Sequence, residues 1–170
     1  FASKAARVVV AAAGRPVVDF GRRRAQGLDA AVAGARAFHL AGVSATSNLL
    51  AGARFGIPVA GTMAHSFVQA FDTEAEAFRA YARLYPETIL LVDTYDTPAG
   101  VRRVAALARE LGPDFRVRGV RLDSGDLLAL SREARAILDA AGLPSVQVFA
   151  SGGLGEDGIA ALLAAGAPID

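Results

Sequence analysis

Apolar residues recur along the chain in two alternating rhythms. The short run Thr88 to Val92 is nearly continuously apolar, as a strand requires when helices cover one side and a core the other, and Val146 to Ala150 reads as a later strand. Between such runs the apolar positions fall near a period of 3.6. Leu28, Ala31, Val32, Ala35 and Phe38 share one stripe of a predicted helix over Leu28 to Ala41, which Gly42 closes. Further helices are predicted over Ser3 to Ala13, Asn48 to Phe55, Thr73 to Tyr85, Pro98 to Leu111, Leu127 to Ala141 and Gly158 to Ala165. Thr73 with Glu76 has the spacing of a capping box, and Pro98 with Gly112-Pro113 marks the two ends of its helix. Val17 to Gly21, Val43 to Ser47 and Val59 to Ser66 read as additional extended segments.

Strand ends then fall near Gly21, Ala45, Thr62, Val92, Leu122 and Ala150, with later intervals of about thirty residues. That interval matches a βα unit, and unbroken βα alternation argues for a parallel sheet. Charged residues follow nearly every strand, whereas an open sheet gathers its chemistry at one switch point. The expected fold is therefore α/β, a parallel irregular (βα) barrel present as an incomplete barrel of about six strands. Residues 1–170 read as part of one barrel catalytic domain truncated at both ends. The chain begins without Met, and Ala167-Pro168-Ile169-Asp170 resembles the start of another strand.

The stretch Val120-Arg121-Leu122-Asp123-Ser124-Gly125-Asp126 stands out because an apolar run stops in an Arg and two carboxylates. With period 2, Arg121 and Asp123 share a face with Val117 and Gly119, while Val120 and Leu122 take the other. In a parallel barrel such strand ends carry the chemistry. The simpler alternative is that Ser124 or Asp126 only caps the next helix. Three arginines, Arg22 to Arg24, follow the first strand beside Asp19 and read either as a solvated patch or as an anion site.

Composition removes several classes. A chain of 170 residues with 53% hydrophobic positions is ample for a core. The net charge of +1 with acids and bases interspersed points to neither nucleic acid nor an electrostatic membrane anchor. The absence of cysteine excludes disulfides and thiolate metal sites and fits a cytoplasmic protein. No apolar run is long enough to span a bilayer. The two histidines, His39 and His65, are far apart in sequence, so no zinc pattern forms. No nucleophile elbow, Walker loop or dinucleotide fingerprint is present. The only lysine, Lys4, lies outside the strands, which disfavours a Schiff-base aldolase.

Gathered at strand ends, the remaining polar set comprises Arg23, Thr62, His65, Ser66, Asp93, Asp96, Arg121, Asp123 and the Ser151-Gly152-Gly153 turn. It suits a phosphorylated, metal-chelated substrate. Arginines fork onto phosphate oxygens, carboxylates hold Mg²⁺ together with water, and a Gly-rich turn at a helix start offers N–H groups to phosphate.

Five stretches in order carry a resemblance: Asp19-Phe20-Gly21-Arg22-Arg23-Arg24-Ala25-Gln26-Gly27, Gly61-Thr62-Met63-Ala64-His65-Ser66, Val92-Asp93-Thr94-Tyr95-Asp96-Thr97, Gly119 to Asp126, and Ser151-Gly152-Gly153-Leu154. The series resembles nicotinate phosphoribosyltransferases. The resemblance implies a type II phosphoribosyltransferase barrel that moves the phosphoribosyl group of PRPP to nicotinate with Mg²⁺ and ATP hydrolysis, in NAD biosynthesis. It implies that His65 is the phosphorylated histidine and that Arg121, Asp123 and Asp93 are catalytic. Arg23, Thr62, Ser66, Ser124, Gly152 and Gly153 would contact substrate, and Asp93 and Asp123 would hold Mg²⁺. It further implies nicotinate, PRPP and ATP as partners, and a homodimer. Thr46-Ser47-Asn48 is neutral where the nicotinamide enzyme has an Asp, which favours the acid substrate. Arg22 departs from the family's usual apolar residue. The alternatives are a nicotinamide or quinolinate phosphoribosyltransferase, or an inactive fragment.

Overall fold

The structure is a computed structural model that describes all residues 1–170. The chain divides into two compact units. The first comprises residues 1–61 with 154–161, and the second residues 62–153 with 162–170.

In the first unit, helices Ala2–Ala11 (α1), Leu28–Leu40 (α2) and Leu49–Phe55 (α3) accompany two short strands, Val18–Asp19 (β1) and Ala45–Thr46 (β2). The strands are parallel, with Val18 opposite Ala45 and Asp19 opposite Thr46. Val32, Ala35, Ala51 and Ile57 form the small core between α2 and α3. Asn48 starts α3 by accepting from the Ala51 amide at 3.2 Å, and Gly56 ends it at φ +67, as a left-handed cap favours. Lys4 and Arg7 of α1 both pair with Glu156 at the start of helix Glu156–Ala164 (α8).

Two expectations change here. Val59 to Ser66 is not a strand: Val59 makes a single parallel bridge with Thr46, and a short helix, His65–Val68 (α4), begins four residues after Gly61. Pro58 has no amide to donate and Gly61 has no side chain to pack, so the ladder cannot propagate. Leu28 does not join the buried stripe of α2. It is 64% exposed, because its side chain forms a wall of an open cavity rather than part of the core.

The second unit holds the larger core. Strands Ile89–Leu91 (β3), Gly119–Leu122 (β4) and Gln147–Ala150 (β5) form a parallel sheet in the order β3-β4-β5. Leu90 lies opposite Val120, which lies opposite Val148. Helices Glu74–Leu84 (α5), Thr97–Leu111 (α6) and Leu127–Ala140 (α7) connect and cover it. Leu90, Val120, Leu122 and Val148 are fully buried with Phe78, Val101, Val104 and Leu138, so the continuous apolar runs have their physical reason in burial. The capping box at Thr73 and Glu76 forms as expected. Gly100 lets α6 lie against the end of β3, since a Cβ there would stand 2.1 Å from the Val92 carbonyl oxygen. After α8 the chain returns to the free edge of β5, where the Asp170 amide donates to Val148 O at 3.0 Å.

Candidate active site

The C-terminal ends of the three parallel strands converge on Arg121. Its neighbours Val120 and Leu122 point into the core, so alternation along β4 turns its guanidinium to the opposite face. The side chain is only 15% exposed, and its donors diverge. Nε donates to Ser151 Oγ at 2.8 Å, Nη2 to Asp123 Oδ1 at 2.9 Å, and Nη1 to Thr62 Oγ1. Ser151 Oγ in turn donates to Asp123 Oδ1. Burial opposes ionisation of Asp123, but the hydrogen bonds from Ser151 and Arg121 and the charges of Arg121 and His65 outweigh it. The carboxyl is held below the usual range.

His65 opens α4, with Nδ1 3.1 Å from Thr94 Oγ1 and Nε2 3.7 Å from Asp123 Oδ2. Its side chain is 40% exposed, accessible enough to react. Asp93, just beyond β3, accepts through Oδ2 from the Asp123 amide at 2.8 Å and from Ser124 Oγ at 2.6 Å. Its second oxygen, Oδ1, is buried without a hydrogen-bond partner. The unit therefore brings together Thr62, His65, Asp93, Arg121, Asp123 and Ser124. Ser66 lies exposed beside His65 and makes no bond within this set.

Several candidates have other work. Asp96 caps α6, accepting from the Ala99 amide at 2.8 Å. Asp126 caps α7 through the amides of Leu128 and Ala129 at 3.0 and 3.1 Å. Ser124 is not a cap, because it donates to Asp93. Gly152 is held against Asp123: a Cβ there would lie 2.3 Å from the Asp123 carbonyl oxygen, and φ is +89. Gly153 has open space around it. Ser151 and Thr94 were not singled out from the sequence for their hydroxyls. The only signal for them was membership of the strand-end motifs.

Glu74, at the first turn of α5, was also missed. It is 3% exposed and pairs with Arg103 at 2.8 Å, while Oε1 has no partner. Burial raises its pKa, the Arg103 charge and hydrogen bond oppose this, and the charges of Asp93 and Asp96 add to the rise.

A cation fits one part of this set. Asp93 Oδ1 is an orphaned hard oxygen donor, and Asp123 lies next to it in the hydrogen-bonded set. No group of three or more His, Cys, Asp or Glu is assembled, so an ion here would take most of its shell from substrate oxygens and water, the habit of Mg²⁺.

Arg23 lies in the first unit. Phe20, Arg22, Arg23, Leu28, Ala31 and Ser47 line an open cavity of about 580 Å³. Both Arg22 and Arg23 belong to this cavity and lie in an exposed turn of 3₁₀ helix over Gly21–Arg24. Asp19 does not neutralise them. Its carboxylate accepts from the Gly21 amide at 2.7 Å and from Thr46 Oγ1 at 2.8 Å, which shapes the loop. Of Thr46, Ser47 and Asn48, only Ser47 reaches the cavity, since Thr46 is tied to Asp19 and Asn48 caps α3.

The proteins that this chain is similar to are of one kind. Residues 16–150 match the model of the nicotinate phosphoribosyltransferase (NAPRTase) family. The chain is 67% identical over 169 residues to nicotinate phosphoribosyltransferase pncB2 of Mycobacterium tuberculosis, covering 99% of this chain and 36% of that protein. It is 48% identical to nicotinate phosphoribosyltransferase of Bacillus subtilis, covering 99% of this chain and 35% of the relative. The crystal structure of human nicotinic acid phosphoribosyltransferase superposes with a TM-score of 0.86 at 31% identity, over 99% of this chain and 45% of that one. The chain thus spans about a third of the length of these curated relatives.

Proposed function

The chain belongs to the nicotinate phosphoribosyltransferase family, and from that premise we propose that the protein carrying it transfers the phosphoribosyl group of PRPP to nicotinate, as a step in NAD biosynthesis. The nicotinate ring nitrogen forms a bond to the anomeric carbon. The bond from that carbon to the pyrophosphate oxygen breaks, its electron pair leaves with pyrophosphate, and nicotinate mononucleotide results. The observation that carries this reading is the Arg121–Asp123 pair at the end of β4, with Asp93 accepting from the Asp123 amide.

The reaction develops positive charge on the ribose as negative charge accumulates on the leaving group. Fixed, water-poor charges of opposite sign stabilise such a separation most. Asp123, kept ionised by Arg121 and Ser151, faces the positive ribose, and Arg121 faces the leaving oxygens. Nicotinate is already nucleophilic at its ring nitrogen, so no general base is required. When bound, Mg²⁺ would neutralise pyrophosphate, and Asp93 with Asp123 would hold it. The Gly153 N–H, in the open part of its turn, is proposed to donate a hydrogen bond to phosphate, with Gly152 fixing the turn and Ser124 and Thr62 aligning the ribose. In the first unit, Arg22, Arg23 and Ser47 give their cavity the cationic, hydroxyl-bearing character that nicotinate's carboxylate requires.

His65 is the proposed phosphoryl acceptor when ATP is coupled to transfer, with Thr94 and Asp123 orienting its ring. His65→Ala is expected to bring the ratio of rates with and without ATP to unity. An unchanged ratio would remove His65 from that role. The two parallel sheets are read as parts of an irregular βα barrel, and the whole protein as a homodimer. Pyrophosphate release by the full-length protein from PRPP, offered nicotinate, nicotinamide or quinolinate in turn, tests the reaction. Nicotinate is expected to be preferred without CO₂ release. Preference for quinolinate with CO₂, or no pyrophosphate from any acceptor, would overturn it.

A further inference from the structure

We infer that Ser151 is a positioning residue that locks Arg121 and Asp123 into a single geometry, a role in catalysis that rests on the transfer reaction proposed above. One hydroxyl touches both members of the pair. It accepts from Arg121 Nε at 2.8 Å and donates to Asp123 Oδ1, while Arg121 Nη2 donates to the same Oδ1 at 2.9 Å. Guanidinium, hydroxyl and carboxylate therefore close a ring of three hydrogen bonds.

The bond directions follow from chemistry. A serine hydroxyl has one proton and an ionised carboxylate only accepts, so the proton goes to Asp123 and a lone pair remains for Nε–H. The competing acceptor, Leu122 O, is further away at 3.3 Å. Thr62 holds the third donor, Nη1, so rotation of the planar guanidinium breaks bonds on three sides. Arg121 lies in β4 and Asp123 directly after its end, which places their backbones and leaves their side-chain torsions free. Ser151, directly after the neighbouring strand β5, removes that freedom.

Ser151 is itself fixed from β4. Its amide donates to Leu122 O at 2.8 Å, and the next residue, Gly152, packs on the Asp123 carbonyl. The hydroxyl spends nothing on the start of α8, as an ordinary cap would. The Ser-Gly-Gly turn is thus keyed to the end of β4, and its serine acts on the charged pair rather than on the helix that follows.

Ser151→Ala, Ser151→Val and Ser151→Thr in the full-length protein separate the hydroxyl from bulk. Two readouts apply: solvent exchange of the Arg121 Nε–H followed by ¹⁵N NMR, with Arg121→Lys assigning the resonance, and kcat and KM with PRPP and nicotinate. Alanine and valine are expected to lose Nε–H protection and to lower kcat about tenfold or more with KM shifted by less than about threefold, whereas threonine keeps both near wild type. Ser151→Ala retaining Nε–H protection and wild-type kcat would overturn the inference. Absence of transfer by the wild-type protein would instead remove the proposed reaction, and the exchange measurement would still decide whether Ser151 holds Arg121.

Discussion

At the scale of single residues, the site depends on side chains that have few alternatives. Arg121 addresses Ser151, Thr62 and Asp123 with donors set in one plane, a fork that an ammonium cannot reproduce. Arg121→Lys is expected to lower kcat/KM about a hundredfold, comparable to removing one preorganised donor to a developing charge, with steady-state kinetics as the check. Glu74 has the opposite character, a carboxyl whose pKa burial pushes up in the folded state. A carboxyl raised on folding stabilises the fold most below its unfolded pKa of about 4.3, and that contribution is lost as pH rises through the folded value. Wild type is therefore expected to lose stability relative to Glu74→Gln as pH is raised from about 4 towards neutrality, read as the change in Tm difference. A Tm difference that grows in the wild type's favour over that range would refute this. The sequence made Arg121 and Asp123 legible because opposite charges end an apolar run. Glu74 was illegible, since a glutamate in a helix's first turn looks like an ordinary dipole partner and only the fold buries it.

At the scale of elements, the ends of β3 and β4 repeat one device. Asp93-Thr94-Tyr95-Asp96 and Asp123-Ser124-Gly125-Asp126 each place the first aspartate in the site and use the second to cap the next helix. After β4, capping by Ser124 or Asp126 was the rival reading to chemistry, and Asp126 does cap α7 while Ser124 does not. Asp126→Ala is accordingly expected to cost about 1 kcal/mol of stability. Gly100→Ala is expected to cost about 3 kcal/mol, the upper end for an overpacked contact, because α6 must withdraw from the Val92 carbonyl. Denaturant midpoints check both, and Gly100→Ala as mild as Asp126→Ala would mean that α6 shifts freely. The helices were readable from period and caps, as the Thr73–Glu76 box shows. The segment from Val59 was misread, since its apolar start hid the limits imposed by Pro58 and Gly61 on pairing.

At the scale of the whole molecule, the apolar surfaces are unevenly distributed. Most of the large exposed hydrophobic residues, among them Phe1, Val10, Leu28, Leu40 and Leu49, belong to the first unit, while the sheet of the second is closed over by helices. The βα order was legible along the chain because short apolar segments such as Ile89–Leu91 alternate with longer stretches of helical period and recognisable caps. The side-to-side grouping of Ser151 with Arg121 and Thr94 with His65 was not, since these pairs lie 30 and 29 residues apart; the first meets through the parallel register of β4 and β5 and the second because α4 begins beside the end of β3. No helix is long and apolar enough to cross a membrane.

The most direct test is a crystal structure of the full-length protein with nicotinate mononucleotide and Mg²⁺. The ribose is expected within hydrogen-bonding distance of Asp93 or Asp123, beside the Arg121 guanidinium and the His65 ring. A nucleotide bound away from the end of β4, with Arg121 contacting none of it, would contradict the assignment of this strand end as the reacting centre.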